Sequence, residues 1–226
     1  MCGRFTLTLE ISALQMAFDL GEQTVVWQSN YNVAPSTLLP VLTNQQPEKI
    51  QLFRWGLIPS WSKDPSIGAK MINARSETLQ EKPSFRSAFQ SRRCLIPADG
   101  FFEWKNTGAS KVPYYFHKPD HSLFLFAGLW DSWIGSGNVE PVHTFTILTC
   151  APNAVVAPVH DRMPVILDWE HGKTWLQSGQ NVVTLQSMLK PAEENFLSKY
   201  PVSSKVNSPA NNSAVCIQPI QSASLF

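Results

Sequence analysis

Cys2 stands directly behind Met1, and that position gives it chemistry no internal cysteine has. Methionine aminopeptidases remove an initiator when the next residue is small, and cysteine qualifies. The chain would then begin with an α-amine and a thiol on adjacent carbons. An α-amine titrates near ~8, against ~10.4 for a lysine, so part of it is an uncharged nucleophile at neutral pH. Such a 1,2-aminothiol traps an aldehyde twice: the amine forms an imine, and the thiolate then closes a thiazolidine ring. Position alone does not decide this use, because chain ends are commonly frayed.

Further groups with chemical potential are clustered along the chain. Asn73-Ala74-Arg75-Ser76-Glu77-Thr78 puts an amide, a guanidinium and a carboxylate together after Lys70. Pro97-Ala98-Asp99-Gly100-Phe101-Phe102-Glu103-Trp104-Lys105 holds a carboxylate between aromatics, and Pro158-Val159-His160-Asp161-Arg162-Met163-Pro164 joins an imidazole, a carboxylate and a guanidinium. Tyr31-Asn32-Val33-Ala34-Pro35 and Trp55-Gly56-Leu57-Ile58-Pro59-Ser60-Trp61 add two loops with defined turn chemistry. Taken singly, each segment also reads as structure: Asn-Ala-Arg as a helix cap with a surface ion pair, Glu103 as an exposed strand end, His160 as a satisfied core or cap histidine.

The elements that must position these groups are short. Leu9–Leu20 has the apolar spacing of an amphipathic helix ended by Gly21. Leu38–Thr43, Ile50–Trp55, Arg93–Pro97, Tyr114–Lys118, Leu123–Leu129 and Thr144–Thr149 are rich in β-branched and aromatic residues and read as strands. Glu77–Gln80, Ser84–Gln90, Ala151–Ala157, Trp169–Gln177 and Thr184–Leu189 read as short helices. Val215–Ile220 reads as an edge strand in an Asn/Ser/Pro-rich C-terminal segment, 203–226. No linker interrupts the pattern, so the expectation is one α+β domain over 1–226, mainly antiparallel. The 226 residues are 43 % hydrophobic, enough for a substantial core. Eighteen basic and seventeen acidic residues leave a net charge of +1, which says nothing about partners. Some of the eight Trp and thirteen Phe could stack on bases. The four cysteines lie far apart, without CxxC or zinc spacing, and Cys94 and Cys150 read as buried free thiols. Neither a secretory signal nor a membrane-length apolar run is present, so the expected compartment is the cytoplasm, or the nucleus of a eukaryote.

Taken together and in order, Met-Cys-Gly-Arg-Phe, Tyr-Asn-Val-Ala-Pro, Trp-Gly-Leu-Ile-Pro, Asn-Ala-Arg-Ser-Glu-Thr, Pro-Ala-Asp-Gly-Phe-Phe-Glu-Trp and His-Asp-Arg-Met-Pro resemble the SRAP family, the SOS response-associated peptidase proteins that process abasic sites. The likeness runs on to Pro201-Val202-Ser203 and Val206-Asn207, nearly the whole chain. It implies a barrel-like β core with peripheral short helices and a positively charged DNA channel. It also implies a DNA-repair function in which Cys2 forms a covalent thiazolidine with the open-chain aldehyde of an abasic site in single-stranded DNA. Cys2, Asn73, Glu103 and His160 are the implied catalytic residues. Asn73 would hydrogen-bond near the Cys2 backbone and the lesion sugar. Glu103 would open the sugar ring with a carboxyl whose pKa burial raises, and His160 would serve as second acid/base. Arg4, Arg75 and Arg162 would hold phosphates, and Trp61 would stack on or wedge beside a base. Trp61 is followed by Ser62 where some relatives have a second Trp, a departure that leaves its exact stacking contact open. Arg86, Arg92 and Arg93 are further basic candidates, with solvated surface charge as the equal alternative.

The resemblance implies no cofactor, metal or membrane, and a monomer working on DNA. The family's peptidase label covers removal of Met1, either autocatalytic or by the cell's aminopeptidase. An imine at an abasic site also permits lyase-type strand cleavage, which ring closure would suppress. Class II glutamine amidotransferases likewise begin Met-Cys-Gly. They continue with an apolar residue where this chain has Arg4, and their His-Arg-Gly and Asn-Gly-Glu segments do not occur here.

Overall fold

The computed structural model describes residues 2–108, 110–135 and 140–220. In chain order the first strands are β1 (Phe5–Leu7), β2 (Asn30–Val33), β3 (Leu38–Thr43), β4 (Gln46–Trp55), β5 (Asn73–Arg75), β6 (Arg93–Ala98) and β7 (Gly100–Asn106). They are followed by β8 (Lys111–His117), β9 (Phe124–Trp133), β10 (Val142–Cys150), β11 (Met163–Pro164), β12 (Ile166–Leu167) and β13 (Ser198–Pro201). The α-helices are short: α1 (Ile11–Ala17), α2 (Pro83–Ser91), α3 (Trp169–Leu176) and α4 (Val182–Ser187).

The most apolar runs close on themselves. β4 pairs with β3, β3 with β6, β6 with β9, and β9 with β10, all antiparallel, and β10 returns to β4 in parallel. This five-strand ring is the barrel core of an α+β fold. Its inner face is filled by side chains such as Phe53, Trp55, Phe126 and Phe145, and α2 and α3 lie against β6 and β9 outside. Burial on both faces explains why β6 is apolar without alternation. A second sheet, in the order β13-β8-β7-β1-β2, packs beside the ring. Phe102, Tyr115, Val202, Val206 and Cys216 form a smaller cluster between that sheet and the C-terminal segment.

The expected strands and most of the expected helices form close to their predicted bounds. Three elements differ. Glu77–Gln80 shrinks to a single 3-10 turn, Ser76–Thr78. Ala151–Ala157 makes hydrogen-bonded turns rather than a helix, because Pro152 and Pro158 bracket it and Asn153 Oδ1 takes the Val156 N–H at 3.0 Å. Val215–Ile220 supplies only a bridge from Pro219 to Val202; Ala214–Ile217 is a 3-10 turn, and a proline cannot extend the ladder. All four cysteines are buried free thiols.

Candidate active site

The polar motifs meet where β1 enters the second sheet. β1 lies between β2 and β7, with Phe5 opposite Phe101 and the Phe102 N–H bonded to Arg4 O at 2.9 Å. Buried Asp99 locks this placement by accepting from both the Thr6 hydroxyl and the Thr8 N–H, the latter at 2.7 Å. Cys2 therefore follows from a fixed strand rather than a frayed end. It is fully buried, and burial, with Glu103 adding to it, pushes its thiol pKa far up. β5 runs parallel to β10, Asn73 opposite Ile147, and brings the Asn73 amide to Cys2. Asn73 Nδ2 donates to Cys2 O at 2.8 Å, while Asn73 Oδ1 is buried with no hydrogen-bond partner among the described residues.

β7 carries Glu103 inward, with only 3 % of its side chain exposed. Burial raises its carboxyl to about 7, and the nearby Asp161 carboxylate adds to the effect. His160 reaches it from the turns before β11: His160 Nε2 lies 3.7 Å from Glu103 Oε2. His160 Nδ1 lies 3.0 Å from the Arg162 backbone nitrogen, 3.1 Å from Asp161 Oδ1 and 3.3 Å from Arg162 O, so the ring is held between Glu103 on one side and the Asp161–Arg162 turn on the other. Burial holds the His160 pKa below the usual histidine value. A carboxyl raised to near neutrality beside an imidazole kept neutral is an arrangement that can pass protons at physiological pH. The two groups border a cleft of about 480 Å³ lined also by Trp104, Lys111 and Asn207.

Glu103 makes a stability prediction of its own. Its carboxyl titrates at about 7 in the folded protein against an ordinary 4.5. Below that ordinary value both folded and unfolded chains are protonated there; above about 7 the folded chain carries a buried charge. The protein should therefore lose stability as pH rises through this window, by up to about 3 kcal/mol from this group. Glu103→Gln should gain on the parent between pH 5 and pH 8 in urea midpoints. A gap between the two that stays constant with pH would contradict the assignment.

The basic residues divide. Arg75 is exposed on β5, and its guanidinium has no partner among the described residues. Arg162 is committed inward, bidentate to Glu77 at 2.7 and 2.9 Å and donating to Thr149 O at 2.6 Å. Arg4 ties β1 to the C-terminal segment through Asn32 Oδ1 at 2.7 Å, Val206 O at 2.9 Å and Asn207 O at 3.3 Å. Asn32 reinforces that tie by donating to Ser208 O and Asn211 O. Trp61 projects from the loop between β4 and β5 with 61 % of its surface exposed. Arg86 is exposed on α2. Arg92 and Arg93 are not surface cations: Arg92 pairs with buried Asp131, and Arg93 is itself buried, donating to carbonyls at the ends of α2 and α3.

Two contributors were given no role from the sequence, although Val206-Asn207 formed part of the family likeness. Lys111 reaches the cleft only because the β7–β8 hairpin pairs it with Asn106. Asn207, far down the chain, is set there by Arg4 and by the Trp104 indole, which donates to its Oδ1 at 2.8 Å.

The chain as a whole is similar to several known proteins. The abasic site processing protein YoqW of Bacillus subtilis is 45 % identical over 223 residues, covering 96 % of this chain and 99 % of its own. The abasic site processing protein HMCES of Gallus gallus is 32 % identical over 266 residues, covering 98 % of this chain and 78 % of its own. An X-ray structure of a protein from Bacteroides thetaiotaomicron superposes with a TM-score of 0.90 at 28 % identity, covering 97 % of this chain and 100 % of that one. The sequence profile described as SOS response associated peptidase (SRAP) matches residues 1–209, and the chain belongs to this SRAP family.

Proposed function

We propose that this protein processes abasic sites in single-stranded DNA by joining them covalently to Cys2 once Met1 has been removed. The observation that carries the proposal is Asn73: its Nδ2 grips the Cys2 carbonyl while its buried Oδ1 remains open as an acceptor beside the nucleophile. A buried polar atom without a partner is costly, and a lesion hydroxyl or the freed Cys2 amine would satisfy it.

The order of steps follows from the protonation states. The Cys2 thiol is held protonated by burial, so the α-amine reacts first. Glu103, in proton exchange near neutrality, opens the closed sugar to its aldehyde. The amine adds to the aldehyde carbon and water leaves, giving an imine. His160 and Glu103 move the protons that make water the leaving group. The sulfur then bonds to the imine carbon as its proton passes to nitrogen, and the ring closes with no further loss. β-Elimination from the open imine would cut the strand weakly; closure ends that route. Removal of Met1 by an aminopeptidase suffices for this scheme, and Glu103 with His160 could also activate an autocatalytic cleavage.

Arg75 is the proposed phosphate contact with donors to spare, while Arg4 and Arg162 add positive charge but are already bonded internally. Arg75→Ala should flatten the log–log salt dependence of single-strand binding by about 0.7 without changing base preference. An unchanged slope would move the phosphate path elsewhere. Trp61 is the proposed stacking surface for a base next to the lesion.

The direct test is intact-mass analysis after incubation with an oligonucleotide containing one abasic site. The expected product weighs the mature protein plus the oligonucleotide less one water. Absence of that species, or glutaminase activity in its place, would overturn the proposal.

A further inference from the structure

Trp61 is exposed, yet the backbone that carries it is tied down on both sides. Its loop leaves β4 at Gly56 and returns to β5 at Asn73, and both strands run along β10. The neck of the loop is pinched: Gly56 has φ +124°, and a Cβ there would lie 2.7 Å from Gly68 O. Immediately before Trp61, the Ser60 N–H donates to Asp131 Oδ2 at 3.0 Å. Immediately after it, Ser62 O accepts the Trp133 indole N–H at 2.7 Å. The Ser62 N–H closes a turn on Pro59 O at 2.8 Å, which leaves Trp61 inside a braced bend.

Asp131 is the root of this brace. It lies in β9, is 4 % exposed, and has no part in the Cys2 chemistry. Its Oδ1 accepts the Ser132 N–H at 2.9 Å and lies 3.2 Å from Arg92 Nε, and Arg92 Nη2 is 3.5 Å from Oδ2. Burying a carboxylate costs free energy unless charge and hydrogen bonds compensate it. Here the compensation comes from Arg92 and from the loop that presents Trp61. A large apolar ring held outward by a braced backbone has already lost the loop freedom that stacking would otherwise take away, which favours binding.

We propose that the Arg92–Asp131 pair, together with the Trp133 indole, presets the Trp61 loop as a rigid stacking platform for a nucleobase, which makes Asp131 a positioning residue for DNA engagement. The inference rests on the proposed abasic-site function only for the identity of the bound strand.

The experiment is a double-mutant cycle on the affinity of the full chain for undamaged single-stranded oligothymidylate. Trp61→Ala should weaken binding roughly 5- to 150-fold, the range for losing one base–aromatic stack. Asp131→Asn keeps the shape and removes the charge. It should weaken binding several-fold in the parent and have no effect in the Trp61→Ala background, because both act through one ring. The salt slope should stay at the parental value, since no phosphate contact is lost. Trp133→Phe removes the brace from the other side and should show the same dependence on Trp61. If Asp131→Asn fails to fold, Trp133→Phe carries the cycle. Equal losses with and without Trp61, or a steeper slope from a released Arg92, would overturn the inference. Intact-mass analysis of the parent with an abasic oligonucleotide separates the two ideas. An absent adduct with a coupled cycle sinks the crosslinking function alone, and a normal adduct with an additive cycle sinks the platform alone.

Discussion

Cys2→Ala is expected to reduce the yield of heat-stable DNA adduct to background while leaving single-strand binding at the parental level. Alanine at position 2 still permits removal of Met1, so the variant keeps an α-amine that can form an imine. It has no sulfur to close the ring. Transient strand cleavage should therefore persist or rise, because the imine stays open to β-elimination. The replacement leaves only a small void at a buried position, so loss of fold will not account for the result. A companion chain with an uncleavable N-terminal extension should fail one step earlier, forming neither imine nor adduct. Robust adduct from either protein would place the nucleophile elsewhere.

The second large effect is on stability. Arg93 is 1 % exposed and meets no carboxylate among the described residues; its guanidinium donates to four carbonyls. Phe89 O at 3.2 Å and Gln90 O at 2.7 Å belong to the last turn of α2, and Trp175 O at 2.7 Å and Gln177 O at 2.8 Å end α3. One cation thus satisfies acceptors that two helix ends leave open and faces the negative ends of both helix dipoles. Arg93→Met fills similar space but strands those carbonyls in the interior, at a cost of about 3–5 kcal/mol. For a chain of this size that lowers the melting temperature by about 10 °C. Arg93→Lys, which keeps the charge and fewer donors, should fall between. A melting temperature for Arg93→Met within a degree or two of the parent would refute the account.

Arg93 also illustrates what the sequence could and could not disclose. In the run Ser91-Arg92-Arg93-Cys94 both arginines read as basic candidates for DNA or as solvated charge, since nothing local marks a partner thirty-nine or more positions away in Asp131 or Trp175. The strands of the ring were legible because burial on both faces leaves long apolar runs. β1, β2, β5 and β13 were not, because they are only three or four residues long and are strands only by virtue of the neighbours they pair with. The chemical residues were visible as motifs with unusual side chains in fixed company. Their mutual geometry was not: the 3.7 Å approach of His160 to Glu103 depends on turns between β10 and β11 that the sequence suggested were helical. Likewise Arg4 and Arg162 read as phosphate ligands, while their bonds to the C-terminal segment and to Glu77 are long-range facts.

The setting of β1 has a mechanical consequence. A DNA strand joined to Cys2 would be joined to the end of a strand paired on both edges, to β2 and to β7. Tension applied to the DNA by a translocating motor would reach the protein along β1, loading the rungs on both sides in shear together rather than peeling them singly. Arg4, two residues from the attachment point, would pass part of that load to the C-terminal segment through Val206 and Asn207. The joint would then be as strong as the sheet that holds it, and a motor meeting it would stall against the whole folded body instead of reeling in a slack tail.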